Sequence, residues 1–254
     1  MIPDLPVLDE LQRVAKALER NGWAEANAGN ISVRVPDLPP EEFDVGPLIE
    51  SDTRYPLLAG RAVLVTRSGS RMRDIAEDPK GNMILVKVEY GAYSVLAGEG
   101  EPTCEMPIHL AVHDMLLTSR PENKAVIHAH PTDLLAFCHL GINDIAGTLY
   151  RIHPETYFHV PDGIEIVDYH VPGSEGLAEA TVAALESSRI AIWNRHGAIS
   201  TGGTLSDCLD VMEIVNKAAS IYLRAVTAGA HGPAVGLTEE QIEMTLKARD
   251  GMPE

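Results

Sequence analysis

The stretch Lys124-Ala125-Val126-Ile127-His128-Ala129-His130 combines a run of apolar residues, typical of a buried strand, with two histidines spaced two positions apart. Side chains alternate between the two faces of a strand, so residues i and i+2 point to the same side. The imidazoles of His128 and His130 are therefore expected to converge on one small volume. This places a potential site of chemistry directly on a central element of the fold.

Helices and short strands are predicted on both sides of this stretch. A helix is expected from Glu105 to Leu117 and a shorter one at 132–140, while 84–88 and 91–96 are expected to pair as antiparallel strands. The other predicted strands are 31–35, 62–66, 164–169 and 190–193, and the other predicted helices are 8–20, 174–187, 204–226 and a last one that begins at 238. This order predicts an α/β fold: a three-layer α/β/α single domain over residues 1–254 with a mostly antiparallel central sheet. The proline-rich, acidic segment 36–56 is predicted to be a surface excursion.

The charge of the chain argues against two classes of partner. Lys and Arg number 20 and Asp and Glu number 37, which gives a formal net charge of −17. Nucleic acids and anionic membranes bind cationic surfaces, so neither is an expected partner. The sequence has no apolar run of membrane-spanning length, and its start lacks the basic-then-apolar order of a signal peptide, so a cytoplasmic location is expected. Three widely spaced cysteines argue against a disulfide framework.

Histidine is the residue type that indicates a metal site in this chain of ten histidines. Neutral imidazole is a preferred ligand of zinc and similar divalent ions. His196 is the candidate third ligand beside His128 and His130, since Gly197 follows it and lets the backbone turn near a cavity. Glu105 is either a further ligand or a base beside the metal. A His-x-His pair also arises by chance in a histidine-rich chain, so spacing alone leaves metal binding open.

His109 and His113 form a rival pair on the predicted 105–117 helix. Their i, i+4 spacing places both imidazoles on one helix face. The His-Glu-x-x-His metalloprotease motif is missing, because the three residues between the histidines are Leu-Ala-Val and the first of them is not glutamate. We therefore interpret them as residues of the helix face or neighbours of a site.

Cys104 could act as a nucleophile if a base lay beside it, but a buried spectator cysteine is the commoner case.

Two polar turns are candidates for anion binding. Residues 27–30 and 68–70 offer small residues, side-chain donors and exposed backbone N–H groups. These features suit a phosphate monoester without a Walker-type sequence. Each of them, taken alone, is also an ordinary turn.

Five motifs occur in an order that is characteristic of one family. They are Asn27-Ala28-Gly29-Asn30-Ile31-Ser32, Val65-Thr66-Arg67-Ser68-Gly69, Pro102-Thr103-Cys104-Glu105-Met106-Pro107-Ile108-His109, Ile127-His128-Ala129-His130-Pro131 and Arg195-His196-Gly197. On these motifs the chain resembles the class II aldolase/adducin family over nearly its whole length. The resemblance implies reversible aldol cleavage of a ketose 1-phosphate, L-rhamnulose 1-phosphate by preference, to dihydroxyacetone phosphate and L-lactaldehyde, and hence a place in rhamnose metabolism.

The resemblance also implies roles for particular residues. Glu105 would be the catalytic acid/base, and Glu155 a second functional glutamate that reaches the site of a neighbouring subunit in a homotetramer. The ligands implied for one zinc ion per subunit are His128, His130 and His196. The implied contacts to the substrate phosphate are Asn27, Gly29, Asn30, Ser68 and Gly69.

Two residues depart from the pattern of the family. Cys104 replaces a serine in the phosphate-binding loop and removes a hydroxyl donor. Arg67 replaces a glycine, and it either adds a charge-assisted contact or points to solvent. In the reaction that the resemblance implies, zinc as a Lewis acid would take the place of a lysine Schiff base. None of the six lysines lies in a motif for covalent carbonyl chemistry.

Other reactions on the same scaffold remain open. An L-fuculose-phosphate aldolase, a methylthioribulose-1-phosphate dehydratase or a pentulose-phosphate epimerase would keep the metal and the phosphate loops. A non-catalytic adducin-like scaffold is disfavoured, because the three histidines and Glu105 are all present.

Overall fold

A nine-stranded sheet lies at the centre of the computed structural model, which describes residues 2–36, 43, 45–230 and 235–250. Its order is β2-β5-β4-β3-β1-β6-β9-β8-β7, and within it only the β7–β8 pair is parallel. The strands are β1 Asn30–Val35, β2 Ile49–Glu50, β3 Ala62–Thr66, β4 Met83–Glu89, β5 Ala92–Ala97, β6 Ala125–Ala129, β7 Glu165–Val167, β8 Ile190–Trp193 and β9 Gly197–Gly202. The predicted mostly antiparallel sheet is confirmed.

Helices cover both faces of this sheet, which confirms the three-layer arrangement. They are α1 Leu8–Arg20, α2 Met72–Glu77, α3 Pro79–Asn82, α4 Met106–Ser119, α5 Thr132–Cys138, α6 Ile145–Tyr150, α7 Glu155–His159, α8 Glu175–Ser187, α9 Leu205–Thr227 and α10 Glu239–Asp250. Ile127 of β6 packs in the core that includes α1, α5 and α9, whereas its neighbour Val126 packs in the core of α4 and α8. Alternation along β6 thus directs Val126 and His128 toward the α4 face.

Side-chain caps mark where three of the helices, α8, α9 and α10, begin. Helix α9 begins with a capping box, in which the Thr204 hydroxyl accepts from the Asp207 amide and the Asp207 carboxylate accepts from the Thr204 amide. Thr238 and Gln241 make the same reciprocal pair before α10. The Ser174 hydroxyl caps α8. These contacts satisfy backbone N–H groups that the first turn of a helix leaves without intrahelical partners.

Three segments differ from the sequence-based expectations. The predictions contained no strand at 197–202, because its small and polar residues lack an apolar period, yet these residues form β9 between β6 and β8. The short helices of segments 72–82 and 145–159 were also missing from the predictions. The predicted excursion at 36–56 lies partly outside the described residues, at 37–42 and 44. Its later part adds the edge strand β2 and buries Tyr55 completely.

Candidate active site

The candidate site lies where several strand ends meet. Asn30 at the start of β1 pairs with His128 near the end of β6, and Ala129 pairs with Ala198 near the start of β9. The turn between β8 and β9 carries His196 to the same end of the sheet. Antiparallel pairing therefore brings together residues that are far apart along the chain.

Three histidines form a group that can hold a metal ion. One ring nitrogen from each of His128, His130 and His196 lies within 4.8 Å of the others. His128 is fully buried, and the other two are partly buried. Burial, followed by the neighbouring histidines, lowers the pKa of His128 well below its usual value. Burial is also the largest cause that lowers the pKa of His196. His128 and His196 are thus favoured in the neutral form that metal ligation requires.

Two of the three rings have a hydrogen-bond partner on the side away from the group. Nδ1 of His128 lies 3.0 Å from the carbonyl oxygen of Ala198, which can only accept, so this nitrogen carries the proton and Nε2 keeps its lone pair. Nδ1 of His130 lies 2.9 Å from a carboxylate oxygen of Glu25. Nδ1 of His196 is buried and has no hydrogen-bond partner among the described residues. Such outer partners fix the tautomer and the orientation of metal-binding imidazoles.

Gly197 provides space for this group rather than the turn that its position predicted. The left-handed backbone conformation lies one residue before His196, at Arg195, with φ of 63°. A Cβ atom on Gly197 would lie 2.6 Å from the carbonyl oxygen of Ala129, 2.7 Å from Cε1 of His128 and 2.9 Å from Cδ2 of His130. The absence of a side chain at Gly197 lets β9 approach both imidazoles.

Glu105 places a buried carboxylate beside the histidines. It is 6% exposed, and its oxygens lie 3.6 Å from Nε2 of His128 and 3.9 Å from Nε2 of His196. Asn30 Nδ2 donates to Oε2 of Glu105 at 2.7 Å. Both predicted alternatives for Glu105, a metal ligand and a base beside a metal, are compatible with this position.

His109 and His113 lie behind the site, not in the three-histidine group. Both are fully buried on α4, and both approach the Ser32 hydroxyl, at 2.6 Å and 2.9 Å respectively. His109 also reaches Oδ1 of Asn30 through Nε2, at 2.5 Å. Their interpretation as neighbours of a site agrees with this arrangement.

One cavity of about 210 Å³ joins the three histidines, Glu105 and both polar turns. Gly29 and Gly69 line it with φ values of 75° and 76°, the left-handed conformation that glycine adopts without strain. Their backbone N–H groups donate to no other group within the described part of the chain. The two turns can therefore offer amide donors to an anion in the cavity.

The two residues that depart from the family pattern also line this cavity. The Arg67 guanidinium donates to Ser70 Oγ at 3.2 Å and to Asn82 Oδ1 at 3.0 Å, so neighbouring groups hold it at the cavity wall. Cys104 is exposed, so the favoured expectation of a buried spectator thiol is wrong. Its thiol makes no hydrogen bond to a base among the described residues, and this arrangement does not favour a nucleophilic role.

Comparison with known proteins identifies the family. The model of the class II aldolase and adducin N-terminal domain matches residues 9–223. The chain belongs to the class II aldolase and adducin family. Rhamnulose-1-phosphate aldolase of Listeria welshimeri is 32% identical to this chain, and the aligned region covers 95% of this chain and 91% of that protein. The protein of the same name from Bacteroides thetaiotaomicron is 32% identical over 93% of this chain and 91% of its own.

A solved structure with higher sequence identity supports the same assignment. The sugar-phosphate aldolase from Thermotoga maritima superposes with a TM-score of 0.81 at 36% identity, over 89% of this chain and 97% of that one. Among the described residues of this class II aldolase/adducin family member, no helix combines the length and the apolar character that a membrane crossing requires.

Glu155 lies apart from the cavity of this class II aldolase/adducin family member. It starts α7, its side chain is 57% exposed, and its carboxylate pairs with His159 at 3.2 Å. It is the one predicted site residue that does not line the cavity.

Conversely, sequence reasoning did not identify Glu25 or Ser32 as neighbours of the site. Glu25 is 105 positions from His130, and no local pattern signals a contact of that separation.

Proposed function

We propose that this chain is a metal-dependent aldehyde-lyase that reversibly cleaves a ketose 1-phosphate, L-rhamnulose 1-phosphate by preference, to dihydroxyacetone phosphate and L-lactaldehyde. The cavity that joins three histidines, a buried carboxylate and two glycine turns is the observation that carries the proposal. Aldol cleavage of a phosphate ester needs polarisation of the carbonyl group, proton transfer and binding of the phosphate. The relatives named rhamnulose-1-phosphate aldolase support this choice of substrate.

The proposed cofactor is one zinc ion per subunit, held by His128, His130 and His196. The donor set fits this ion, because three imidazoles converge and three protein ligands leave a coordination position for substrate. When bound, the ion supplies Lewis-acid polarisation of the substrate carbonyl.

Glu105 is proposed to move the proton at the substrate carbon next to the carbonyl. Asn30 holds Oε2 of Glu105, whereas Oε1 accepts no hydrogen bond from the described residues. The carboxylate is thus oriented while one oxygen stays available for proton transfer. Geometry of this kind, with a donor or acceptor held in place, is what general acid–base catalysis requires.

The substrate phosphate is proposed to lie between the two polar turns. The N–H groups of Gly29 and Gly69 have no other acceptor within the described residues. The Ser68 amide already donates to Glu101, so Ser68 would contribute its hydroxyl. The proposed phosphate contacts are Asn27, Gly29, Asn30, Ser68 and Gly69, with the guanidinium of Arg67 as an additional positive charge at the cavity wall.

The proposed assembly is a homotetramer of single-domain subunits, 1–254, in the cytoplasm, with active sites at subunit interfaces. Glu155 would then serve the cavity of a neighbouring subunit. Its high exposure and its position outside its own cavity support this role. Tyr169 and Val171 are 64% and 66% exposed, and an interface that covers them would remove apolar surface from water.

The direct test is to incubate zinc-loaded protein with a panel of ketose 1-phosphates and to detect dihydroxyacetone phosphate with a coupled assay. We expect product from L-rhamnulose 1-phosphate, and no product from any panel member would contradict the proposal. Glu105→Gln should keep its zinc but lose ~10²–10⁴-fold in turnover if Glu105 transfers the proton. The double variant His128→Ala/His130→Ala should lose stoichiometric zinc, and full zinc content would refute the ligand set.

Subunit mixing tests the role of Glu155. Glu105→Gln and Glu155→Gln subunits are inactive on their own in this scheme. Random hybrids should regain about one quarter of wild-type activity, since a site then combines Glu105 of one variant with Glu155 of the other. Hybrids that stay inactive, although both variants mix, would contradict a shared site.

A further inference from the structure

A line of buried polar groups runs from Glu105 into the protein interior. Oε2 of Glu105 accepts from Asn30 Nδ2 at 2.7 Å, and Asn30 Oδ1 lies 2.5 Å from Nε2 of His109. Nδ1 of His109 lies 2.6 Å from the Ser32 hydroxyl, which lies 2.9 Å from Nε2 of His113. All five residues are buried, with at most 6% of any of them exposed. Buried polar groups normally require partners, and here four successive contacts provide them.

The acceptor at one end fixes the direction of every hydrogen bond. The Asn30 amide nitrogen donates to the Glu105 carboxylate, so the Asn30 oxygen faces His109. His109 must then carry its proton on Nε2, which leaves Nδ1 to accept from the Ser32 hydroxyl. The Ser32 oxygen in turn accepts from Nε2 of His113. Every proton in the line therefore points toward Glu105.

The environment of the two histidines agrees with neutral rings. Burial lowers the pKa of His109 to about 3, with the charge of Glu105 opposing the shift and His128 adding to it. Burial also lowers the pKa of His113 far below its usual value, and Arg34 and His109 lower it further. Nδ1 of His113 has no partner among the described residues, as expected where the line ends in a bare lone pair.

We propose that His109 is a positioning residue for Glu105: its Nε2–H holds the Asn30 amide in the one orientation that directs an N–H at the carboxylate. Without this donor, the Asn30 amide has no contact that distinguishes its oxygen from its nitrogen on the His109 side. Rotation by half a turn would then present the amide oxygen to the carboxylate, which repels it. The proposal rests on the proposed function, because it assigns His109 a place behind the catalytic carboxylate.

The first experiment determines the tautomers without measuring activity. Nitrogen-15 NMR of histidine-labelled protein distinguishes a protonated ring nitrogen from a bare one, and His109→Phe and His113→Phe assign the signals by loss. We expect both residues to be neutral, with the proton on Nε2. A proton on Nδ1 of His109, or a charged ring at neutral pH, would overturn the proposal.

The second experiment compares three variants in the aldolase assay. His109→Phe keeps an aromatic ring but removes both hydrogen bonds, and it should lower kcat roughly 10- to 100-fold while KM and zinc content stay near wild type. His109→Gln offers a carboxamide N–H toward Asn30 and should recover much of the loss. His113→Phe, equally buried on the same helix, should have a smaller effect, because Ser32 can still donate to His109.

Thermal melting separates positioning from folding. Equal losses of kcat in His109→Phe and His113→Phe that follow their losses of Tm would overturn the proposal, as would wild-type kcat in His109→Phe. If His109→Phe does not fold, a His109→Gln variant with the kcat of wild type supports the proposal, and one that folds but has lost activity overturns it. A wild-type protein that cleaves no ketose phosphate refutes the proposed function, and the tautomer of His109 then decides the orientation of the line by itself.

Discussion

Gly197→Ala is the substitution that most directly tests whether β9 must approach the three histidines closely. The new methyl group would meet the Ala129 carbonyl oxygen at 2.6 Å and ring carbons of His128 and His130 at 2.7 Å and 2.9 Å. Ordinary van der Waals contact begins at 3.4 Å, so these atoms must retreat by about 0.5–0.8 Å. The carbonyl belongs to β6 within the β6–β9 ladder and has little freedom to move.

Two quantities should change in this variant. Overpacking of this kind costs about 1–3 kcal/mol, which for a chain of this length lowers the Tm of the metal-free protein by about 2–12 °C. Metal sites require ligand distances within about 0.2 Å, so the retreat of two ligands should weaken zinc binding at least ~10- to 100-fold.

The assays are thermal denaturation of metal-free protein and zinc titration against a competing chelator. Gly91→Ala is the matched control, since its Cβ would meet nothing within 4 Å and its backbone does not have a positive φ. Wild-type stability and zinc affinity in Gly197→Ala would refute the reasoning. Equal losses in both variants would trace the effect to the general cost of replacing glycine and would equally refute it.

Three further predictions concern the surroundings of the site. Glu25→Gln should weaken zinc binding about 10-fold or more by removing the carboxylate behind His130, measured by the same titration; unchanged affinity would show that this contact is dispensable. Arg67→Ala should raise KM for the phosphate ester more than it lowers kcat, whereas an effect confined to kcat would exclude a binding role. Histidine in the unfolded chain is protonated below about pH 6.5, whereas burial lowers the pKa of His109 in the folded protein to about 3. The free energy of unfolding of the metal-free protein should therefore fall as the pH decreases from about 6.5 to about 3. For this residue the fall is up to about 1.4 kcal/mol per pH unit. Urea unfolding at several pH values measures this slope, which should be shallower in His109→Phe; an identical slope would contradict it.

The metal group was the part of the site that the sequence predicted best. Period-two alternation in a strand is a local property, so the shared face of His128 and His130 follows from their spacing alone. The shared helix face of His109 and His113 also follows from a local pattern, their i, i+4 spacing, whereas their burial depends on what packs against that face. The partner of each histidine could not be predicted, because Ser32 and Glu25 reach these rings only after strands and turns distant in sequence have paired.

Glycine shows the same division at single positions. Gly29 and Gly69 lie in turns that the sequence identifies, and their left-handed backbone agrees with that prediction. Gly197 also looked like a turn residue, but the tertiary structure uses it for close packing, and Arg195 takes the left-handed conformation. A close approach depends on the neighbouring strand, which local sequence does not name.

The sequence by itself determined the class of fold, the order of the main elements and the histidines of the candidate metal site, because these depend on periodicity, caps and turns within a few positions. Tertiary structure alone decided that β9 enters the sheet next to β6, that Glu105 lies against two of the histidines, and that a line of buried polar groups leads to its carboxylate. These features arise from strand register and packing between distant segments. The proposed role of Glu155 comes from neither source, since the family resemblance alone implies it and the carboxylate lies on the surface of its own chain.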